Sequence, residues 1–291
     1  MNLSKEIKLF LVVTFFFSTG ISLLIFLTGG QESPYYLISY SLMIIPAITV
    51  GIIRLIFREK FSIGFKNFNL KWFLVGIVIF PLVIHAVCLP VVWLEADYSI
   101  PWVSWLKSDA NGIFNTPEQV GWGSINTNEL YFRLILNAIV GLLVVSILAL
   151  FEELGWRSWL LPRLIQEFGI HKAILVSAAI WAAWHIPFAL SGIHTIEGVS
   201  PYWIAVLNPF GHFGAGVFLA FLWIKSKSIW VVAFAHGSLN NWGQFAFKYM
   251  SDDPSPRFPL LLIGLNLSLI LIGLFTFRLT FGKHHEQKYL S

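Results

Sequence analysis

Long apolar runs recur along the whole chain and are separated by short polar segments. Each run is long enough to cross the hydrocarbon core of a bilayer, which is about 30 Å thick and needs about 20 helical residues. The pattern predicts an all-α, polytopic transmembrane helix bundle of about eight spans in a single integral membrane domain, residues 1–291. The predicted spans are 7–29, 35–57, 72–94, 130–151, 172–190, 202–224, 229–249 and 259–281.

The N-terminal part, residues 1–129, combines the first three spans with the longest polar connection, residues 95–129. The first run begins after "MNLSKEIK" and is longer than the usual ~7–15-residue core of a signal peptide, so we expect it to be kept as a helix. Residues 95–129 carry several Trp among polar residues. We expect this segment to be an external loop that lies partly on the membrane surface, rather than a cap over the bundle.

Composition and charge agree with a membrane protein. Hydrophobic residues make up 57% of the chain and charged residues 12%, against roughly 25% charged in an ordinary soluble domain. All but four of the 19 Lys and Arg residues are predicted to lie on the same side of the membrane as the N-terminus. The exceptions are Lys107, Arg133, Lys248 and Arg257. The positive-inside rule therefore predicts cytoplasmic termini. This distribution accounts for the net charge of +4, and no nucleic-acid partner is expected.

Two adjacent carboxylates come directly at the end of the fourth apolar run. Glu152 and Glu153 are exceptional because the other acidic residues fall in predicted loops or tails. A charged side chain within the membrane costs at least about 2.5 kcal/mol on insertion scales. Further polar residues lie in other spans, namely His185 in the fifth and His236 with Asn240 in the seventh. Such a set is a candidate functional site by default.

Helix periodicity separates the roles of the two glutamates. Residues four apart share a helix face, so Glu153 can pair with Arg157 in the favourable order, acid before base. Glu152 is turned about 100° away and can face an interior cavity. The same spacing places His236 and Asn240 on one face of the seventh span.

A carboxylate, two imidazoles and an amide can together hydrolyse an acyl bond. A carboxylate in a pocket of low dielectric constant can act as general base for water near neutral pH. An imidazole and an amide N–H can donate to the oxyanion that forms on the attacked carbonyl. A covalent nucleophile is not indicated, since the chain has no G-x-S-x-G motif. We interpret Cys88, His85 and His212 as packing residues.

At these residues the sequence resembles the CPBP intramembrane proteases, which include the CAAX prenyl endopeptidases and the abortive-infection and bacteriocin-processing proteins of bacteria. That family shows the motifs E-E-x-x-x-R, F-x-x-x-H and H-x-x-x-N. Here they read "EELGWR" from Glu152, "WAAWH" ending at His185, and "HGSLN" from His236. Trp181 stands where Phe is common, which keeps an aromatic wall. The resemblance covers roughly residues 130–245, the predicted catalytic core.

The resemblance implies a glutamate-dependent endopeptidase whose site opens to the cytoplasm. By position, Glu152 would activate the water and His185 would help to hold it, while His236 and Asn240 would stabilise the oxyanion. The supporting residues would be Glu153, Arg157 and Trp181. The expected partners are membrane lipid and a peptide or membrane-protein substrate, and the expected location is a bacterial plasma membrane.

Two alternatives stay open from the residues alone. No cofactor is expected, but zinc held by Glu152, His185 and His236 would give a metal-dependent form of the same hydrolase. A non-catalytic scaffold or immunity protein, or a transporter with a proton-carrying carboxylate, is the other alternative. A transporter would more often show repeated, interrupted helices in both halves, whereas the motifs here lie in one half.

The predicted depths of the site residues disagree with one another. His185 lies about 13 residues into the fifth span, near 20 Å at about 1.5 Å per residue, whereas Glu152 ends the fourth span. Either the fifth span starts later, with residues 159–171 as an interfacial helix, or Glu152 lies deeper in a cavity.

Overall fold

The chain folds into a bundle of helices, as the apolar pattern predicts. A computed structural model describes residues 3–58, 63–95, 109–115, 123–192, 200–248 and 258–281. Within these ranges nearly all residues are helical, and the only strands form one short hairpin. The all-α transmembrane fold class is therefore confirmed.

The first helix, α1 (Lys5–Leu27), is part of the core. Ser4 caps its N-terminus by accepting the backbone N–H of Ile7. Phe10 is fully buried, with its ring stacked on Trp159 at 4.9 Å. One face of α1 is thus covered by residues that lie about 150 positions further along the chain.

The second predicted span is bent. A 3₁₀ helix, Tyr36–Met43, precedes α2 (Ile45–Phe57), and the two axes differ by 52°. Pro46 lies in the first turn of α2, where a backbone N–H has no partner within the helix, so the missing N–H of proline costs no hydrogen bond. A Cβ at Gly155 would lie 2.5 Å from Cβ of Pro46, so only glycine allows this approach to the glutamate motif.

The third span is α3 (Leu70–Glu95), and the polar connection after it contains a hairpin. Strands β1 (Ile113–Asn115) and β2 (Ser124–Asn126) pair antiparallel, with Phe114 opposite Ile125. Of the predicted external loop, residues 96–108 and 116–122 lie outside the described part of the chain, as does the side chain of Cys88. The loop prediction therefore missed a small sheet.

The fourth predicted span was too short. Helix runs continuously from Thr127 to Phe168 over 42 residues; its five segments are α4 (Thr127–Leu136), a π-helical turn (Asn137–Gly141), α5 (Leu142–Glu153), a π-helical segment (Leu154–Leu160) and α6 (Leu161–Phe168). The prediction ended this span at position 151, where the apolar run meets Glu152 and Glu153, and it counted Arg157 among the cytoplasmic charges. Arg157 is instead fully buried, so it carries no information on membrane orientation.

The remaining helices form the second half of the bundle. They are α7 (Ile170–Trp184), the short α8 (Ile186–Leu190), α9 (Pro201–Ser226), α10 (Ile229–Lys248) and α11 (Phe258–Arg278). Small residues let α9 approach both neighbours. A Cβ at Gly216 would lie 3.1 Å from Cα of Ala178 on α7, and one at Gly214 would lie 2.6 Å from the backbone N of Ile270 on α11.

Every predicted span corresponds to a helix, but the number of membrane crossings is not confirmed. In the described part of the chain, five helices are long and apolar enough to cross a membrane, or six if the bent pair counts as one span. Helix α10 is not among them, since it carries the polar residues of the third motif. Eight spans and cytoplasmic termini stay predictions.

Candidate active site

Glu153 is the centre of a buried charged group formed by α5, the π-helical segment and α10. Its Oε1 accepts a hydrogen bond from Nη1 of Arg157 at 2.9 Å and lies 2.8 Å from Nδ1 of His236. Glu153 and Arg157 have no exposed side-chain surface, and His236 has 2%. The predicted pairing of Glu153 with Arg157 is therefore present, and His236 completes it. The sequence pattern did not predict this third member.

Glu152 has a different partner. The indole N–H of Trp181 donates to its Oε2 at 3.2 Å. The residue is 3% exposed, and no hydrogen bond from the described residues engages Oε1. His236 and Arg157 lie close enough to interact electrostatically with this carboxylate. Each glutamate thus has one oxygen without a hydrogen bond from the described residues, Oε1 of Glu152 and Oε2 of Glu153, but only Glu153 is paired with a guanidinium.

Trp181 joins the two glutamate groups. Its ring is fully buried, and the guanidinium carbon of Arg157 lies 4.5 Å from the ring centroid. The ring of His236 meets it edge-on at a centroid distance of 5.3 Å. The sequence indicated an aromatic wall at this position. The structure adds a hydrogen-bond donor that Phe, common at this position in the family motif, does not have.

Close helix packing brings α10 against α5. A Cβ at Gly237 would lie 2.7 Å from Cα of Ser146 and would overlap its Oγ. Gly237 follows His236 directly, so the absence of a side chain here lets the imidazole reach Glu153. Arg157 lies in a π-helical segment, a local widening that often occurs at functional sites.

His185 lies at the break between α7 and α8. Pro187 has no N–H to continue the α7 hydrogen-bond pattern, so the helix ends at Trp184. Nδ1 of His185 lies 2.7 Å from the backbone oxygen of Trp181. Because a carbonyl oxygen only accepts, Nδ1 carries the proton, and Nε2 is the lone-pair nitrogen of the neutral ring. The ring is half-buried against the indole of Trp181, at a centroid distance of 4.7 Å.

Asn240 is one turn beyond His236 on α10 and is partly exposed. It shares the helix face of His236, as the spacing predicts. The described contacts do not bring it to the glutamates. Its neighbour Asn241 is buried instead.

His212, interpreted from the sequence as a packing residue, lies in contact with this group of side chains. Its ring stacks on that of His185, with centroids 4.0 Å apart and planes 13° apart. It also meets Trp181 edge-on at 5.6 Å. A lone His in an apolar helix gives no signal of such a contact, which depends on how α9 packs against α7. By contrast, His85 hydrogen-bonds to the backbone of its own helix and packs on Trp242.

The depth conflict disappears in the hairpin formed by α6 and α7. Glu152 precedes the turn at Gly169 by 17 residues, and His185 follows it by 16. The two side chains therefore lie at similar distances from the turn, and Trp181 links them through its N–H and its carbonyl. Glu152 lies deep within a long helix, which is the second of the two predicted solutions.

The zinc alternative requires Glu152, His185 and His236 to converge on one point. Within the described ranges, no three His, Cys, Asp or Glu side chains come together so as to hold a metal ion. Glu152, His185 and His236 each contact Trp181, but the three side chains do not form a three-ligand group. The residues present do not fit a zinc centre in this arrangement.

Residues 128–242 match the family model described as "Type II CAAX prenyl endopeptidase Rce1-like". The match covers less than half of the chain, and it agrees with the expected resemblance to the CPBP family. All three motifs and the buried charged group lie inside this segment, which agrees with the predicted core of 130–245. No curated protein matches the chain. The described part of the chain has helices long and apolar enough to span a membrane, and with this match they support an integral membrane protein.

Proposed function

We propose that the protein is an intramembrane endopeptidase that uses a glutamate-activated water to cleave a peptide or membrane-protein substrate. One observation carries the proposal. Glu152 is buried, oriented by Trp181 and adjacent to the Glu153–Arg157–His236 group, and all of these residues lie in the family segment. A buried, oriented carboxylate with an unengaged oxygen is suited to general-base catalysis.

Glu152 rather than Glu153 is the proposed base. Glu152 takes a proton from water as the oxygen attacks the scissile carbonyl, and it then gives that proton to the leaving amine as the C–N bond breaks. Glu153 is unsuited to this task because Arg157 and His236 both engage its Oε1, and its side chain has no exposed surface through which a water could reach the other oxygen. Its proposed role is to hold those two side chains in place.

The imidazoles have complementary proposed roles. Nδ1 of His185 donates to a backbone carbonyl, so its Nε2 can accept a hydrogen bond from the attacking water. Nδ1 of His236 faces Glu153, so its Nε2 is the atom available to substrate, and it donates to the oxyanion when protonated. Asn240, on the same helix face, is proposed as the second oxyanion donor.

The substrate class follows from the location of the site. A scissile bond must reach a carboxylate that lies deep in a 42-residue helix, so the substrate is a membrane-associated peptide, prenylated or not. We propose that the site opens to the cytoplasm and that no metal is required. The expected setting is a bacterial plasma membrane, where peptide maturation and self-immunity are the corresponding roles.

The test is cleavage of fluorogenic prenylated and unprenylated peptides by the detergent-purified protein. We expect wild type to cleave at least one peptide and Glu152→Gln, an isosteric change, to lower kcat at least about 100-fold. Chelator should leave the wild-type rate unchanged. Glu129→Gln is the matched control, since Glu129 is a partly exposed carboxylate in an ion pair with Arg133. It should cleave at the wild-type rate.

Each other outcome has a definite meaning. If Glu152→Gln cleaves as fast as wild type, the base is wrongly assigned. Loss of wild-type activity with chelator and its return with zinc would replace the proposal with the metal-dependent alternative. Failure of the folded wild-type protein to cleave any peptide in the panel would favour a scaffold or immunity protein.

A further inference from the structure

Two imidazoles from different helices lie face to face beside the candidate active site. His185 ends α7, and His212 lies in the middle of α9; their rings are nearly parallel, with centroids 4.0 Å apart. Both residues are partly buried. Such a contact between polar rings within a membrane protein is a candidate for function rather than for packing alone.

Each ring is also tied to its own helix. Nδ1 of His185 donates to the carbonyl of Trp181, and Nδ1 of His212 lies 2.9 Å from the carbonyl of Asn208. The acceptor is four residues earlier in both cases, and both rings therefore carry the proton on Nδ1. The stack is formed by two rings of the same tautomer, each with Nε2 as its lone-pair nitrogen.

The position of His212 is determined by the packing of α9 against α11. Asn266 on α11 is buried, and its amide lies 3.5 Å from Oδ1 of Asn208, the residue whose carbonyl holds His212. A Cβ at Gly211 would lie 3.0 Å from Cγ of Asn266. The helix that carries His212 is therefore packed against α11, whose residues lie outside the segment 128–242.

A histidine ring needs such support to keep one orientation. The torsion about the bond from Cβ to the ring is broad for His, so a single hydrogen bond does not define the ring plane. Around His185, the indole rings of Trp181 and Trp184 meet the imidazole edge-on, at 4.7 and 5.0 Å. His212 is the ring that covers its face, at 13° between planes.

We propose that His212 is a positioning residue that holds the His185 ring, and hence its Nε2, in the orientation needed to bind the attacking water. The stacked ring face does this, and the His212 ring is itself held by the bond to the Asn208 carbonyl together with the edge-on contact of Trp181. This role rests on the proposed function, because it acts through His185. In this proposal α9 and α11 help to shape a site whose motif residues lie at or near α5, α7 and α10.

The kinetic test compares two replacements of His212. His212→Phe keeps an aromatic face, and His212→Ala removes it. We expect His212→Ala to lower kcat about tenfold or more with KM within about twofold, because a misoriented group costs rate rather than binding. His212→Phe should stay within about threefold of wild type. His85→Ala is the control, since His85 makes the same bond to a carbonyl four residues earlier, away from the site.

A second measurement reads the ring directly and needs no activity. Nitrogen NMR of protein labelled with ¹⁵N-histidine distinguishes the two tautomers, and the His185 signals are assigned by their loss in His185→Ala. We expect one tautomer, protonated at Nδ1, in wild type and His212→Phe, and a mixture in His212→Ala.

The two measurements separate the outcomes. Unchanged His185 signals in His212→Ala would overturn the positioning role, whatever the rate does. Equal loss of kcat in His212→Phe and His212→Ala would overturn it too, since the ring face would not be what matters. If wild type cleaves nothing, the proposed function fails, and the NMR comparison still decides whether His212 orients His185.

Discussion

Trp181 donates its indole N–H to Oε2 of Glu152 across 3.2 Å, deep in the membrane-spanning bundle. A Phe at the same position would form the same aromatic wall without orienting the carboxylate. This bond leaves Oε1 of Glu152 as the oxygen that can meet a water.

Trp181→Phe should therefore slow catalysis with little effect on substrate binding. We expect kcat to fall about tenfold, equivalent to about 1.4 kcal/mol, with KM nearly unchanged. Trp230→Phe is the matched control, because its indole N–H donates to the carbonyl of Phe65, away from the site. Peptide cleavage kinetics on both variants check this, and equal rates for the two would show that the Trp181 bond has no catalytic role.

Glu153→Gln should destabilise the protein. The change removes the hydrogen-bonded countercharge of the buried Arg157 guanidinium, and breaking one partner of a buried ion pair typically costs about 3–5 kcal/mol. A large fall in the thermal unfolding temperature in detergent is expected. The control is Glu129→Gln in the partly exposed pair with Arg133, which should cost about 1 kcal/mol or less.

The contrast between those two pairs is the measured quantity. Both have i, i+4 spacing, so helix geometry is common to them and burial is what differs. Similar unfolding temperatures for Glu153→Gln and Glu129→Gln would contradict a buried charged group in the folded protein.

Gly237→Ala should separate α10 from α5. Its Cβ would overlap Oγ of Ser146, and overpacking of this kind costs about 1–3 kcal/mol. We expect lower thermal stability and lower kcat, since His236 is the adjacent residue. Adding Ser146→Gly should recover part of both losses.

Gly243→Ala on the same helix is the matched control for this substitution. Nothing lies within 4 Å of a Cβ at Gly243, so the change should leave stability unchanged or raise it slightly. If Gly237→Ala behaves in the same way, the close approach of α5 and α10 is not as described.

Asn240→Ala should lower kcat about 10²–10³-fold, the usual cost of removing an oxyanion donor, with unfolding temperature unchanged. Asn241→Ala provides the comparison. Asn241 is buried and follows Asn240 by one residue, about 100° around the helix, so its replacement should alter stability more than rate. If Asn241→Ala lowers kcat more than Asn240→Ala does, Asn240 is not the oxyanion donor.

Much of the fold and of the candidate site could be predicted from sequence. Apolar runs marked every long helix, because a chain in lipid must satisfy its backbone hydrogen bonds internally and does so by forming helices. Residue spacing identified the Glu153–Arg157 pair, since i, i+4 contacts are local. The motif residues indicated the family, and the match over residues 128–242 agrees with it.

The error in the fourth predicted span came from the way its charged residues were interpreted. Glu152 and Glu153 were taken as the end of a span and Arg157 as a cytoplasmic charge, whereas the three side chains are buried and the helix continues to Phe168. Hydropathy treats each charge as exposed, and it has no means of recognising a partner that neutralises it inside the bundle. The depth conflict between Glu152 and His185 arose from the same misplaced boundary.

What the sequence determined by itself is local: the helices, their polar faces and the order of the motifs. Only tertiary structure decided that His236 meets Glu153, that Trp181 donates to Glu152 and that His212 stacks on His185. These contacts join residues from 27 to 83 positions apart on separate helices. Their formation depends on how closely the helices pack, which small residues such as Gly237 and Gly216 control through their missing side chains.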